Sequence, residues 1–116
     1  MNVYGIDEGA QLSISVKEAR DLKPMDYTGK SDPYVVLKFG GTQTHQTNFI
    51  RQDLNPVWNE VFTFDVETGR ESMEVTVYDK DDFGSDDFEG RFVLSLDDYR
   101  DQLSHDEWFE LEPEIP

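Results

Sequence analysis

Met73-Glu74-Val75-Thr76-Val77-Tyr78-Asp79-Lys80-Asp81-Asp82-Phe83-Gly84-Ser85-Asp86-Asp87-Phe88-Glu89 joins two patterns in one stretch. Met73, Val75 and Val77 alternate with Glu74, Thr76 and Tyr78, the period of a half-buried strand. The eleven residues from Asp79 to Glu89 then carry six carboxylates around one Lys. At an effective dielectric near 20, like charges about 4 Å apart repel by about 4 kcal/mol, so converging carboxylates call for a cation. A hard divalent ion such as Ca²⁺ takes about six to eight oxygens in flexible geometry, which carboxylates, loop carbonyls and water supply together. Asp79 continues the inward phase of Met73, Val75 and Val77, which sets its carboxylate at the strand end. The alternative is that such acid-rich segments are solvated turns.

The alternation recurs along the chain. Leu12, Ile14 and Val16 alternate with Ser13, Ser15 and Lys17; Val35, Leu37 and Phe39 with Val36 and Lys38; Phe62, Phe64 and Val66 with Thr63 and Asp65. Phe92, Leu94 and Leu96 follow, then Trp108-Phe109-Glu110-Leu111. Gly40-Gly41, Asn55-Pro56, Thr68-Gly69 and Phe83-Gly84-Ser85 supply turns between these segments. Many short strands with regular turns predict an all-β, antiparallel sandwich. One helical exception is expected near 97–104, where Leu96, Tyr99 and Leu103 share helical spacing and Asp97 and Asp98 suit a first turn. Trp58 and Trp108 read as core residues.

The 116 residues suit one domain, 1–116, with its core over about 11–111 and a linker-like tail at 112–116. Hydrophobic content of 36%, with 13% aromatic residues, is enough for a packed interior. The 26 acidic and 10 basic residues give a net charge of −16, which disfavours nucleic acid as a partner. An anionic membrane is repelled too, unless bound cations reverse the local sign. With no Cys, disulfides and thiolate–zinc sites are excluded. No signal peptide or membrane span is visible, so a cytoplasmic domain is expected.

Three separated segments resemble the C2 domains, the calcium-dependent lipid-binding β-sandwiches. The first runs from Leu12-Ser13-Ile14-Ser15-Val16 through Ala19-Arg20-Asp21-Leu22 to Gly29-Lys30-Ser31-Asp32-Pro33-Tyr34-Val35. The second is Asp53-Leu54-Asn55-Pro56-Val57-Trp58-Asn59-Glu60-Val61-Phe62-Thr63-Phe64, and the third is Val77-Tyr78-Asp79-Lys80-Asp81 with Asp87 and Gly90. The resemblance implies an eight-stranded Greek-key sandwich. About seven strands are placed by pattern; the eighth comes either from residues 2–6 or from sequence beyond Pro116.

The resemblance further implies Ca²⁺ ligands at Asp26 and Asp32 in one loop and at Asp79, Asp81 and Asp87 in another. Backbone carbonyls of Met25, Lys80 and Ser85 complete the implied set. Family members with a third ion often use a hydroxyl where this chain has Gly84, so two ions are the expectation. Asp82, Asp86 and Glu89 lie outside the matched positions and read as solvated acids. Met25, Tyr27 and Phe83 fall beside the ions, either as core residues or as loop tips that contact the membrane. The implied partner is an anionic, phosphatidylserine-like phospholipid membrane, to which the domain is recruited peripherally when calcium rises. A separate phosphoinositide site is not expected, because Lys38 to Arg51 is mostly Gly, Thr, Gln and Asn.

Other chemistries fit less well. As an EF-hand, the loop beginning at Asp79 has Phe83 at its fifth position and Gly90 where the twelfth needs Glu. His45 and His105 are far apart and lack thiol companions for zinc. Paired carboxylates serve glycoside hydrolysis, but no sugar cleft, Ser-His-Asp motif or phosphate loop is evident, and no enzyme activity is expected. The competing reading is a protein-interaction sandwich in which Ca²⁺ is absent or only structural.

Overall fold

A computed structural model describes residues 1–4, 11–24, 31–82, 84–99 and 104–113, with the backbone alone described at Asn2 and Tyr4. The strands are β1 (Asn2–Tyr4), β2 (Gln11–Glu18), β3 (Pro33–Phe39), β4 (Gln43–Gln46), β5 (Val57–Asp65), β6 (Ser72–Asp79), β7 (Asp87–Ser95) and β8 (Ser104–Asp106). They form two four-stranded antiparallel sheets in the orders β5-β2-β1-β8 and β4-β3-β6-β7. The fold is the expected all-β Greek-key sandwich. The N-terminal residues, one of the two expected sources of a further strand, supply β1, with Val3 opposite Ile14 on one side and His105 on the other; β4 and β8 also lie on segments that the alternation does not mark.

Alternation decides which side chains fill the space between the sheets. Leu12, Ile14 and Val16 of β2 face Val35, Leu37 and Phe39 of β3 and Met73, Val75 and Val77 of β6, all buried. Phe39 and Phe64 meet across the core with ring centroids 5.5 Å apart. Burying each such side chain contributes about 1.5–3 kcal/mol. Gly40 and Gly41, with φ of 63° and 78°, close the β3–β4 hairpin in a conformation that side chains with a Cβ resist.

Two bulges interrupt the ladders. Val16 pairs with Glu60 but Glu18 with Val57, so β5 carries an extra residue there, and Asn59 takes a φ of 51°. Val77 pairs with Gly90 but Tyr78 with Phe88, which makes Glu89 the extra residue of β7.

The helical turn near 97–104 is present as a 3₁₀ turn over Leu96–Tyr99 that buries both its end residues. Residues 100–103 lie outside the described residues, and Ser104 already belongs to β8. The expected strand at 108–111 is a correction. Among the described residues this segment leaves the ladder after Asp106 and meets β7 through the isolated Arg91–Glu112 bridge, the Phe109 ring stacked on Phe92 at 4.7 Å and Leu111 packed against Gly90. Trp108 is corrected with it: it is 61% exposed, and its ring is covered by the Arg20 guanidinium, 4.5 Å from the centroid. Trp58 is buried as expected, its Nε1–H donating to the Pro33 carbonyl at 3.3 Å.

Candidate metal centre

The ends of β3 and β6 lie side by side because Pro33 pairs with Asp79. One residue earlier, the Asp32 backbone N–H donates to Asp79 Oδ1 at 2.7 Å, and the Asp32 carbonyl accepts from the Lys80 N–H at 3.0 Å. The Asp32 carboxylate is itself oriented by the Gln52 N–H, 2.7 Å from Oδ1. Asp79 is buried and pairs across the sheet with Asp87. Asp32, Asp79 and Asp87, remote in sequence, are therefore gathered at one end of the sandwich.

The following loop folds around Asp86. Its Oδ1 accepts the Asp81 N–H at 2.8 Å, and its Oδ2 accepts a hydrogen bond from the Tyr34 hydroxyl. The Asp81 N–H and that phenol hold the Asp86 carboxyl below the usual carboxylate range. Burial and the bond to Asp86 push the Tyr34 phenol well above its ordinary value. The Tyr34 ring stacks on Tyr78, centroids 5.7 Å apart, so the loop is anchored to the sheet. A Cβ on Gly84 would stand 3.6 Å from Asp81 Oδ2, which leaves that carboxylate little neighbouring bulk.

Glu89 corrects the sequence reading most sharply. Expected in solvent, it is 7% exposed, because the bulge turns it inward. Its Oε1 lies 3.0 Å from Ser31 Oγ, whose hydroxyl also stands 2.9 Å from the Lys23 carbonyl; the single hydroxyl proton serves one acceptor at a time. Its Oε2 is buried with no hydrogen-bond partner among the described residues. Burial pushes the Glu89 carboxyl up to about 7, and the charges of Asp79 and Asp87 push in the same direction. Asp86 is corrected too, being half-buried and fully engaged, whereas Asp82 is exposed as expected.

Of the expected ligand positions, Asp32, Asp79, Asp81, Asp87, Lys80 and Ser85 are described. Met25, Asp26, Tyr27 and Phe83 lie outside the described residues. Among the described residues no three carboxylate or imidazole groups converge as a finished metal cage. The donor chemistry nonetheless fits a hard divalent cation. Every donor is an oxygen, and the carboxylates of Asp79 and Asp87 belong to residues paired directly across β6 and β7. His45 stacks on Phe62 and His105 packs on Tyr99, in separate places.

A family model for the C2 domain matches residues 10–111. The chain belongs to the C2 domain family. It is 41% identical over 90 residues to multiple C2 and transmembrane domain-containing protein 2 of Mus musculus, covering 78% of this chain and 10% of that protein. It is 45% identical over 109 residues to extended synaptotagmin-1 of Mus musculus, covering 87% of this chain and 10% of that protein. This C2 domain thus spans about a tenth of the length of these curated relatives. Among solved structures, the calcium-bound tandem C2 domains of extended synaptotagmin 2 superpose with a TM-score of 0.81 at 34% identity, covering 90% of this chain and 40% of that one.

Proposed function

We propose that this C2 domain is a Ca²⁺-triggered module that docks on anionic phospholipid membranes. The observation that carries the reading is the junction of Asp32 and Asp79, with Asp87 opposite Asp79. The likeness to a calcium-bound extended synaptotagmin 2 structure supports it. The ligands are Asp26, Asp32, Asp79, Asp81 and Asp87, with the carbonyls of Met25, Lys80 and Ser85. Bound there, two Ca²⁺ would supply four positive charges and coordination positions for lipid phosphate and carboxylate oxygens. A chain of net charge −16 is otherwise repelled by such a surface, so ion binding comes first. Met25, Tyr27 and Phe83 enter the headgroup region, each contributing about 1.5–3 kcal/mol if fully buried. The domain itself performs no catalysis, and its recruitment is peripheral; no helix among the described residues is long and apolar enough to cross a membrane.

Sedimentation with phosphatidylserine liposomes tests the mechanism. Pelleting in Ca²⁺ and release by chelator are expected, and equal pelleting in both rejects the trigger. One observation favours a second reading as a protein-interaction domain: Val57 and Val61 are 51% and 63% exposed on the outermost strand β5. A protein partner retained by a Val57→Ser, Val61→Ser double variant would remove that support.

A further inference from the structure

Side-chain bonds take over where the β6–β7 ladder stops, since β6 ends at Asp79 and β7 begins at Asp87. The Lys80 N–H donates to the Asp32 carbonyl at 3.0 Å, and the Asp81 N–H donates to Asp86 Oδ1 at 2.8 Å. Asp86 Oδ2 in turn accepts from the Tyr34 hydroxyl on β3, and the Tyr34 ring is stacked on Tyr78 of β6.

Planarity of the peptide unit carries the Asp81 bond one residue back. The Asp81 N–H and the Lys80 carbonyl belong to one trans peptide and point in opposite directions. Held toward Asp86, the N–H turns the Lys80 carbonyl away from it, and that carbonyl is one of the expected ion ligands. Asp86 also stands between Ser85 and Asp87 in the chain, whose carbonyl and carboxylate belong to the same expected set. A side chain not itself assigned to the ion thus restrains the backbone at three assigned positions. Fixing them before the ion arrives removes part of the ordering that binding otherwise requires.

We infer that Tyr34 and Asp86 are positioning residues of the ion site: the Tyr34 hydroxyl fixes the Asp86 carboxylate, which orients the Lys80–Asp81 peptide, and this relay raises Ca²⁺ affinity without touching the ion. The inference rests on the Ca²⁺ reading proposed above, and its test separates the two.

Calorimetric titration with calcium chloride, well below the melting temperature, reads the affinity of the folded chain alone. Tyr34→Phe should lose about fivefold and Asp86→Ala about tenfold. Asp86→Asn removes the same charge as Asp86→Ala but keeps an acceptor for the Asp81 N–H and a donor for the Tyr34 oxygen, so its affinity should stay within about threefold of wild type. Adding Tyr34→Phe to Asp86→Ala should cost nothing further, because Tyr34 acts through Asp86. Asp82→Asn, which removes an exposed acid of the same loop, should stay within about twofold. In chelator, with no ion bound, exchange of the Asp81 amide read by NMR should accelerate in Tyr34→Phe and Asp86→Ala but not in Asp86→Asn.

A wild-type chain that takes up no Ca²⁺ overturns the ion reading and this inference with it. Ca²⁺ uptake by the wild type with equal affinity in Tyr34→Phe and Asp86→Ala, even at a lowered melting temperature, overturns this inference alone. So does a further loss in the double variant, or an Asp86→Asn as weak as Asp86→Ala.

Discussion

The backbone N–H of Asp32 donates to the carboxylate of Asp79, 47 positions later in the chain, at 2.7 Å. This bond joins the segment entering β3 to the exit of β6, so the side chain that would hold a cation also fastens two loops together. Charge and architecture are therefore separable at Asp79 by choice of substitution.

Asp79→Asn keeps an acceptor oxygen for the Asp32 N–H and removes the charge facing Asp87. The melting temperature without Ca²⁺ should hold or rise slightly, while the rise caused by millimolar Ca²⁺ should vanish. Asp79→Ala removes the acceptor as well and should cost about 1–3 kcal/mol in urea unfolding. A full Ca²⁺-induced rise in Asp79→Asn would contradict the ligand assignment.

Tyr34→Phe deletes the hydroxyl that donates to Asp86 while keeping the ring on Tyr78. A loss of about 1 kcal/mol is expected. Amide exchange should accelerate at Asp81, whose N–H is held by the same carboxylate.

Glu89→Leu exchanges a buried carboxyl, one oxygen of which has no hydrogen-bond partner among the described residues, for an apolar side chain of similar length. The variant should be more stable by about 1–3 kcal/mol, read as a higher denaturation midpoint with unchanged slope. A decrease would mean that Glu89 is matched in solution.

Gly90→Ala sets a methyl where its Cβ would stand 2.6 Å from the Leu111 Cβ. The 107–113 segment must move, at a cost of about 1–3 kcal/mol. The exchange of backbone hydrogen bonds between Arg91 and Glu112 should lose protection first, while amides of β2 and β3 keep theirs.

Burial alone would raise the Glu71 carboxyl, but the Glu67 N–H and the Thr68 hydroxyl and N–H outweigh it and hold the group at about 2, against an ordinary 4.5. Because the folded value is the lower one, the stabilisation is complete above about 4.5 and is lost as pH falls from there toward 2. Glu71→Gln should flatten this part of the stability profile by about 1 kcal/mol, a figure discounted for solvent screening. A wild-type and a variant profile that stay parallel from pH 5 to pH 2 would refute the assignment.

Much of the site is legible in the chain because side-chain direction in a strand follows a period of two. Met73, Val75 and Val77 point inward, and Asp79 inherits that phase and is buried as expected. The same rule fails wherever the ladder slips. Nothing in the alternation of β7 announces an extra residue, so Glu89 reads as a solvated acid although it is buried. Trp108 misleads because aromatic area usually seeks the interior, whereas here Arg20 covers the ring from outside. β1 is too short, at three residues, to display a period. Met25, Asp26, Tyr27 and Phe83 lie outside the described residues, so their roles rest on the family likeness.

The slip in β7 also selects which residue confronts Asp79. Counting back from the Val77–Gly90 pair without interruption would bring Glu89 opposite Tyr78 and the phenyl ring of Phe88 opposite Asp79. With one residue looped in, Phe88 takes the place beside Tyr78 and Asp87 comes face to face with Asp79. A single-codon deletion at position 89 would thus straighten the ladder and still leave Asp87 facing Asp79, whereas a ladder that kept all its residues but lost the bulge would put a benzene ring there.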